Sequence, residues 1–263
     1  WNVDATDCAN IEANPDVTLL SQTSSSIEYL GMNTTKEKFS DERVRQAVNY
    51  ALDKQTFVDT IIEGRGTVAN SYINSTIPGW SEEEEAYPYD PEKAKTLLEE
   101  AGWDGSQTIR FYVNSGDSTF VNAASIIAAE WAAVGIKAEI QTVDFATLMS
   151  VAGTEDYDVL AVQYTYAPVD PYPDVAWLLG GEGSWTGYSD DTLNEALTKS
   201  QLTSDPEETK ELFSVVDKKV QEDVPMFSAY VISAQGAVSK RITGAAPSVY
   251  GFFNDVQNWD VVE

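Results

Sequence analysis

A loop rich in aromatic and proline residues is the most distinctive stretch of this sequence. Residues 164–179 read YTYAPVDPYPDVAWLL and follow the apolar run of residues 159–162. Each proline fixes φ, so the loop loses less conformational freedom when a ligand orders it. Each tyrosine offers a flat apolar ring with a hydrogen-bonding tip. Together these residues are typical of a binding wall for peptides, sugars or similar organic solutes.

Three side chains of this loop are candidate ligand contacts. Tyr164 and Tyr166 are two residues apart and share one face of the sheet, so either both contact ligand or both fill the core. Ligand contact is favoured for Tyr166, which lies beyond the predicted strand end. Asp170 either faces the ligand or caps the next helix, and the sequence leaves both open. Asp174 is expected to cap that helix.

The composition excludes several kinds of chemistry. The 263 residues contain no histidine and a single cysteine, Cys8, which removes Ser-His-Asp and Cys-His catalysis, the common zinc sites and an intramolecular disulfide. A formal net charge of −27 repels nucleic acid. We therefore expect no catalytic residue, metal site, cofactor or nucleic-acid partner. A secreted glycoside hydrolase with paired carboxylates remains a rival interpretation, although 43 acidic residues make a chance pair almost certain.

Periodicity predicts alternating strands and helices in the middle of the chain. Strands are expected at 108–113, 137–143 and 158–164, with helices at 120–134 and 145–151 between them. This order indicates βαβ units and a sheet with a parallel central portion. Further helices are expected after Ser40, Asp53, Asp90, Ser189 and Asp205, and a strand at 226–238. In open α/β sheets ligands bind at the carboxyl ends of strands, which is where the 164–179 loop begins.

Several motifs, in a fixed order, resemble the extracellular solute-binding proteins of peptide-type ABC importers, the oligopeptide, dipeptide and nickel receptor family. The longest is IEYLGMNTTKEKFSDERVRQAVNYALDKQTFVDTIIEGRG at 27–66, followed by YPYDPEKAKTLLEEAGW at 87–103, GYSDDTLNEAL at 187–197 and DPEETKELFSVVDKKVQEDVPMF at 205–227. The resemblance implies an α/β periplasmic-binding-protein-like lobe with a mixed sheet flanked by helices. It also implies that residues 29–228 are the C-terminal lobe, while 1–28 and 229–263 cross to an N-terminal lobe that is absent here.

The resemblance also nominates site residues. The EYLGMN segment is similar to a strand that lines the ligand cleft, which implicates Tyr29, Met32 and Asn33. Trp185 and Tyr230 correspond to further positions facing the cleft. Peptide-binding relatives hold the peptide amine with an aspartate three residues after a tryptophan; here those positions are Ala167 and Tyr164. Alanine cannot form a charge-assisted bond to an ammonium group, so either Asp170 replaces the anchor or the amine is not gripped in this way.

The resemblance implies a monomeric, non-enzymatic receptor. It would capture a solute, foremost an oligopeptide, between two lobes and deliver it to ABC importer permease subunits. It would reside at the extracellular face of the membrane or in the periplasm, lipid-anchored in the full-length protein. A receptor of the same family for a non-peptide solute such as an oligosaccharide is the alternative, and an interaction domain without a small ligand is a further rival.

Overall fold

The computed structural model describes residues 3, 5–80, 87–167, 170–180, 184–248 and 255–262. The helices in this part of the chain are α1 Ala5–Glu12, α2 Glu37–Ser40, α3 Glu42–Tyr50, α4 Lys54–Thr60, α5 Pro91–Glu100, α6 Ser118–Ala133, α7 Phe145–Gly153, α8 Tyr172–Leu179, α9 Asp191–Ser200 and α10 Pro206–Asp223. The strands are β1 Val17–Thr23, β2 Ser26–Met32, β3 Gly66–Val68, β4 Thr108–Asn114, β5 Lys137–Val143, β6 Val159–Thr165, β7 Met226–Ser228, β8 Tyr230–Ser239, β9 Ile242–Thr243 and β10 Asp260–Val261.

A five-stranded mixed sheet forms the centre of the molecule, in the order β5-β4-β6-β2-β7. β4 runs parallel to β5 and to β6, whereas β2 is antiparallel to both β6 and β7. The crossover helices α6 and α7 join the parallel strands, as βαβ units require. The predicted mixed α/β fold with a parallel portion is confirmed.

The two faces of the central sheet contact different cores. Leu30, Phe111 and Trp131 belong to the larger core, in which α3, α5 and α6 pack. Tyr29 and Tyr166 belong to the second core, with α8, α9 and α10. Because side chains alternate along a strand, neighbouring residues of β2 contribute to opposite cores.

Aspartate caps start most of the helices. Seven helices begin behind an aspartate whose side chain accepts a backbone N–H of the first turn, and these caps are Asp41, Asp53, Asp90, Asp117, Asp144, Asp190 and Asp205. Each satisfies a donor that would otherwise lack a partner. At two helices the expected cap was one residue early, since Asp41 and Asp190 cap α3 and α9 instead of Ser40 and Ser189.

The predicted strand at 226–238 is divided between two sheets. β7 pairs with β2 of the central sheet, whereas β8 pairs with β1 and β3 in a separate three-stranded antiparallel sheet. The break falls at Ala229, which is fully buried, and the chain also passes between these sheets at Ser24 and Ser25. The proposed division into a lobe at 29–228 and crossings on either side remains a prediction.

Candidate ligand-binding site

A cavity of about 570 Å³ lies where β4 and β6 end, between the central sheet and β8. Its lining includes many side chains that can donate or accept hydrogen bonds, among them Ser26, Glu28, Asn114, Gln163, Ser233 and Gln235. Strand order explains this position. β4 and β6 are parallel neighbours, so their carboxyl ends reach the same edge, and antiparallel β2 begins there. The volume is within the range of about 300–1,000 Å³ that small ligands occupy.

Glu28 lies on the cavity side of β2, opposite Gln163 of β6. Its Oε1 accepts a hydrogen bond of 2.6 Å from Gln163 Nε2, and its backbone carbonyl accepts one of 2.5 Å from Ser228 Oγ. The residue is only 2% exposed. Burial, followed by the charge of Asp117, raises the pKa of the Glu28 carboxyl to about 8, although the bond from Gln163 opposes the shift.

Two buried acceptors at this cavity lack hydrogen-bond partners within the described residues. They are Glu28 Oε2 and Gln235 Oε1. The amide of Gln235 is oriented by its Nε2, which donates to Ser21 Oγ at 2.8 Å and to the Ser233 carbonyl at 3.3 Å. Buried acceptors without donors are costly and uncommon. The site therefore presents two acceptors that are suited to donors on a bound solute.

Tyr29 and Tyr166 lie on the opposite face of the sheet from Glu28, inside the second core. Both are at most 1% exposed. Their hydroxyls lie 2.5 Å apart, and both also reach the carbonyl oxygen of Tyr72. All of these polar atoms are thus satisfied within the protein. Ligand contact by Tyr29 and Tyr166 remains a prediction. In the structure these two tyrosines connect β2 to the residue that follows β6, on the face of the sheet away from the cavity.

Three partly exposed aromatic rings form a row beside the end of β6. The Tyr164 ring centroid lies 5.5 Å from that of Trp177, which lies 4.7 Å from that of Trp185. Trp177 is 44% exposed and was not among the sequence candidates, although it falls within the quoted loop. We call Tyr164, Trp177 and Trp185 the aromatic row. It offers apolar surface for stacking on a solute.

The two aspartates of the loop have different partners. Asp170 is exposed, and its Oδ1 accepts a 3.0 Å bond from Tyr172 N at the start of α8. Asp174 accepts from Tyr164 Oη at 2.7 Å and from Ala167 N at 2.8 Å. The expectation that Asp174 caps α8 was wrong, because it lies inside the first turn and fastens the loop to the strand end. Pro168, also in this loop, lies outside the described residues.

The remaining candidates lie away from the described lining of the cavity. Met32 pairs with Val159 at the far end of β2. Asn33 follows it, and its Nδ2 donates to the backbone carbonyls of Glu155 and Tyr157. Tyr230 is fully buried at the start of β8. Ligand contact by these three residues stays a prediction that none of these contacts supports.

The described residues contain no group of three or more His, Cys, Asp or Glu side chains that would hold a metal ion. In the same part of the chain, no helix combines the length and the apolar character that a membrane crossing requires.

Comparison with known proteins identifies the family. Residues 1–186 match the model of the bacterial extracellular solute-binding proteins, family 5 Middle. The chain belongs to this family of bacterial extracellular solute-binding proteins, which confirms the resemblance drawn from the motifs at 27–66 and beyond.

The chain is similar in sequence to two bacterial binding proteins and similar in fold to a solved structure. Heme-binding protein A of Haemophilus influenzae is 28% identical over 94% of this chain and 46% of its own length. The dipeptide-binding protein of Escherichia coli is 27% identical over 83% of this chain and 43% of its own. The structure of HbpA2 from Haemophilus parasuis has a TM-score of 0.90 at 23% identity, covering 98% of this chain and 52% of that one. The chain thus spans about half the length of these relatives.

Proposed function

We propose that the protein carrying this chain binds an extracellular oligopeptide at the cavity and the aromatic row, and delivers it to an ABC-type membrane permease. The observation that carries this proposal is the polar lining of the cavity. The partly exposed aromatic row lies at the end of the same strand, β6, on the other face of the sheet. Every peptide residue presents a backbone N–H and C=O, which suit amide, hydroxyl and carboxyl groups. Similarity to the dipeptide-binding protein of Escherichia coli gives independent support.

The contact residues that we propose differ in part from those expected. Glu28, Asn114 and Gln163 would contact the polar parts of the peptide, because they line the cavity. Of the aromatic row, Tyr164 and Trp185 were already candidates and Trp177 is new. The buried candidates Tyr29, Tyr166 and Tyr230 would act as support.

We further propose that the protein is a monomer that catalyses no reaction. It would work at the extracellular face of the membrane or in the periplasm with ABC importer permease subunits, held by a lipid anchor. Residues 29–228 would form one lobe, and closure of a second lobe about a hinge would enclose the solute.

Calorimetry of the full-length protein tests the peptide assignment. We expect heat of binding with mixed peptides and none with mixed oligosaccharides, and binding of sugar without peptide would overturn the assignment. The 263-residue chain alone should bind more weakly than the full-length protein, because part of the proposed contact surface would be missing. Equal affinity for the two forms would contradict the two-lobe model.

Substitution of the aromatic row tests the proposed contacts. Trp177→Ala and Trp185→Ala should each weaken peptide binding about five-fold, since stacked aromatic contacts are worth about 1 kcal/mol. Leu202→Ala is the matched control, because Leu202 is 84% exposed and is neither in the row nor in the cavity lining. Unchanged affinity in both tryptophan variants would remove the row from the site.

A heme ligand is a competing assignment, because one relative is heme-binding protein A of Haemophilus influenzae. The polar lining of the cavity favours a peptide, since a porphyrin face needs broad apolar walls. Titration with hemin would decide. A Soret shift at micromolar concentration, together with no peptide binding, would favour heme.

A glycoside hydrolase is the other competing assignment, and one observation favours it. Glu28, which has a raised pKa, interacts with the carboxylate of Asp117, as the acid and base of a glycosidase do. Asp117, however, uses its Oδ1 to cap α6 through Phe120 N. We expect no turnover of chromogenic glycosides, and measurable turnover that Glu28→Gln abolishes would support the hydrolase.

A further inference from the structure

We propose that Glu28, together with the side-chain carbonyl of Gln235, binds a positively charged and hydrogen-bond-donating group of the solute, an ammonium or a guanidinium. This inference rests on the proposed function of the cavity and specifies the chemistry of its ligand. Glu28 was not a candidate in the sequence, where it is one charge between Ile27 and Tyr29.

Two buried oxygen atoms at the cavity, one of Glu28 and one of Gln235, are available to accept hydrogen bonds from a ligand. Glu28 is 2% exposed and lines the cavity, and its Oε2 has no partner within the described chain. Gln235, 4% exposed, presents its unpartnered Oε1 to the same cavity. An ammonium carries three N–H donors and a guanidinium five, so either group can satisfy more than one acceptor at once.

Neither aspartate of the 164–179 loop lines the cavity, whereas Glu28 does. Asp174 accepts two hydrogen bonds, from Tyr164 Oη and Ala167 N, and Asp170 accepts one from Tyr172 N. Position 167, where peptide-binding relatives are expected to place the amine anchor, is alanine. Glu28 is a buried carboxyl with an open oxygen on the cavity side, so it can take over that role from another strand.

The charged and polar groups around Glu28 determine whether the site favours a positive or a negative ligand group. Asp117, before α6, adds negative charge, and Tyr230 of β8 is a neutral buried phenol whose pKa burial and Glu28 raise. Gln163 of β6 contributes an uncharged amide. Arg65 also lines the cavity. Glu12 binds its two terminal nitrogens at 3.1 Å each and balances its charge, while its buried Nε has no partner within the described residues. The surroundings of Glu28 therefore favour an incoming cation over an anion.

A proton should leave when the cation binds. With a pKa of about 8 in the empty cavity, Glu28 is largely protonated at pH 7, and a bound ammonium favours the carboxylate. Binding at pH 7 should then release up to one proton to the buffer. A residue with a purely structural role would release none.

The test compares the full-length protein with its E28Q variant by calorimetry at pH 7 in two buffers of different ionisation enthalpy. Three probes are used. The first is a mixed library of tripeptides to pentapeptides without lysine or arginine, with free amino termini. The second is the same library acetylated at the amino terminus, and the third is putrescine, a diamine that is not a peptide. Glu139→Gln is the matched control, because Glu139 is an exposed glutamate on β5.

We expect the free-amine library to bind at least about ten-fold more tightly than the acetylated one, the size of a charge-assisted contact. This preference and the proton release should vanish in E28Q and persist in Glu139→Gln. Equal binding of the two libraries would overturn the inference while leaving peptide binding intact. Binding of putrescine alone, lost in E28Q, would support the inference and end the peptide assignment. Binding of none of the three probes would overturn both.

Discussion

Glu28 carries an energetic cost because it is an acid that is buried among uncharged groups and near the negative charge of Asp117. A carboxyl that is 2% exposed, without a positive partner among the described residues that contact it, is held in its protonated form. Gln163 and Ser228 fix its position from two neighbouring strands. Glu28 is held in one position although its burial destabilises the fold. Such a residue is better explained as part of a binding site than as part of the core.

The first prediction concerns stability against pH. Because the folded-state pKa of Glu28 is raised from 4.5 to about 8, its contribution to the free energy of unfolding is full below about pH 4.5 and is lost as the pH rises through 8. Glu28→Gln should be about as stable as the wild type at pH 5 and more stable at pH 8, by an amount on the order of a few kcal/mol. Urea unfolding at several pH values measures this.

Two other glutamates provide controls for that measurement. Glu130 has a pKa raised to about 7, mainly by burial, so it adds a slope of the same sign and E28Q should reduce the pH dependence without abolishing it. Glu139→Gln should leave the curve unchanged. Identical pH profiles for wild type and E28Q would show that the Glu28 pKa is not raised.

A second prediction at the residue scale concerns the loop. Asp174→Ala removes the acceptor for Ala167 N and Tyr164 Oη, and we expect faster hydrogen exchange of the Ala167 amide, by about five-fold for a loss near 1 kcal/mol. Asp170→Ala is the control, which should affect the Tyr172 amide instead. Unchanged exchange at Ala167 in Asp174→Ala would show that the carboxylate does not hold the loop.

At the scale of elements, local sequence predicts most helices and strands because their signals are local. Asp90 followed by Pro91 starts α5 as expected, and the strand predicted at 137–143 is β5. The pairing partners of a strand are set by distant residues. Nothing at Ala229 indicates that the chain changes from one sheet to another, because residues 226–238 have the pattern of one continuous strand. The strands that pair with β7 and β8, which are β2 and β1, lie about 200 residues earlier.

The third prediction tests the close approach of β3 to β8. A Cβ at Gly66 would lie 2.3 Å from the carbonyl oxygen of Val231 and 2.5 Å from Ile62 Cδ1. Gly66→Ala should therefore destabilise the protein by about 2 kcal/mol or more. Gly153→Ala, in α7 with nothing within 4 Å of the added carbon, should be neutral or stabilising by up to about 1 kcal/mol. Thermal unfolding compares the two, and equal effects would contradict the packing at Gly66.

At the scale of the whole molecule, negative charge is the dominant global property. With a formal net charge of −27, the folded chain repels itself at neutral pH. The aspartate caps use part of this charge locally, but most carboxylates among the described residues are exposed. A cation-binding cavity is consistent with such a field, which attracts cations over a distance and weakens as salt screens it.

The fourth prediction follows from that charge. Raising NaCl from about 0.02 to about 0.5 M shortens the Debye length to a few ångströms, so the Tm at pH 7 should rise by several degrees. At about pH 4, where many carboxylates are protonated, the same salt series should change the Tm much less. A Tm that falls with salt at pH 7 would show that favourable ion pairs outweigh the repulsion.

The sequence by itself determined the alternation of strands and helices, the family and the position of the aromatic loop. Helix caps, hydrophobic periodicity and motifs each depend on residues that are close together in the chain, so they can be recognised before folding. Tertiary structure decided which side chains face the cavity. Strand alternation puts Tyr29 and Tyr166 on one face of the sheet and Glu28 with Gln163 on the other, and only the pairing of β2 with β6 and the approach of β8 show which face is open. Burial and unpartnered oxygens arise from these distant contacts, so Glu28 could not be distinguished among 43 acidic residues until the chain was folded.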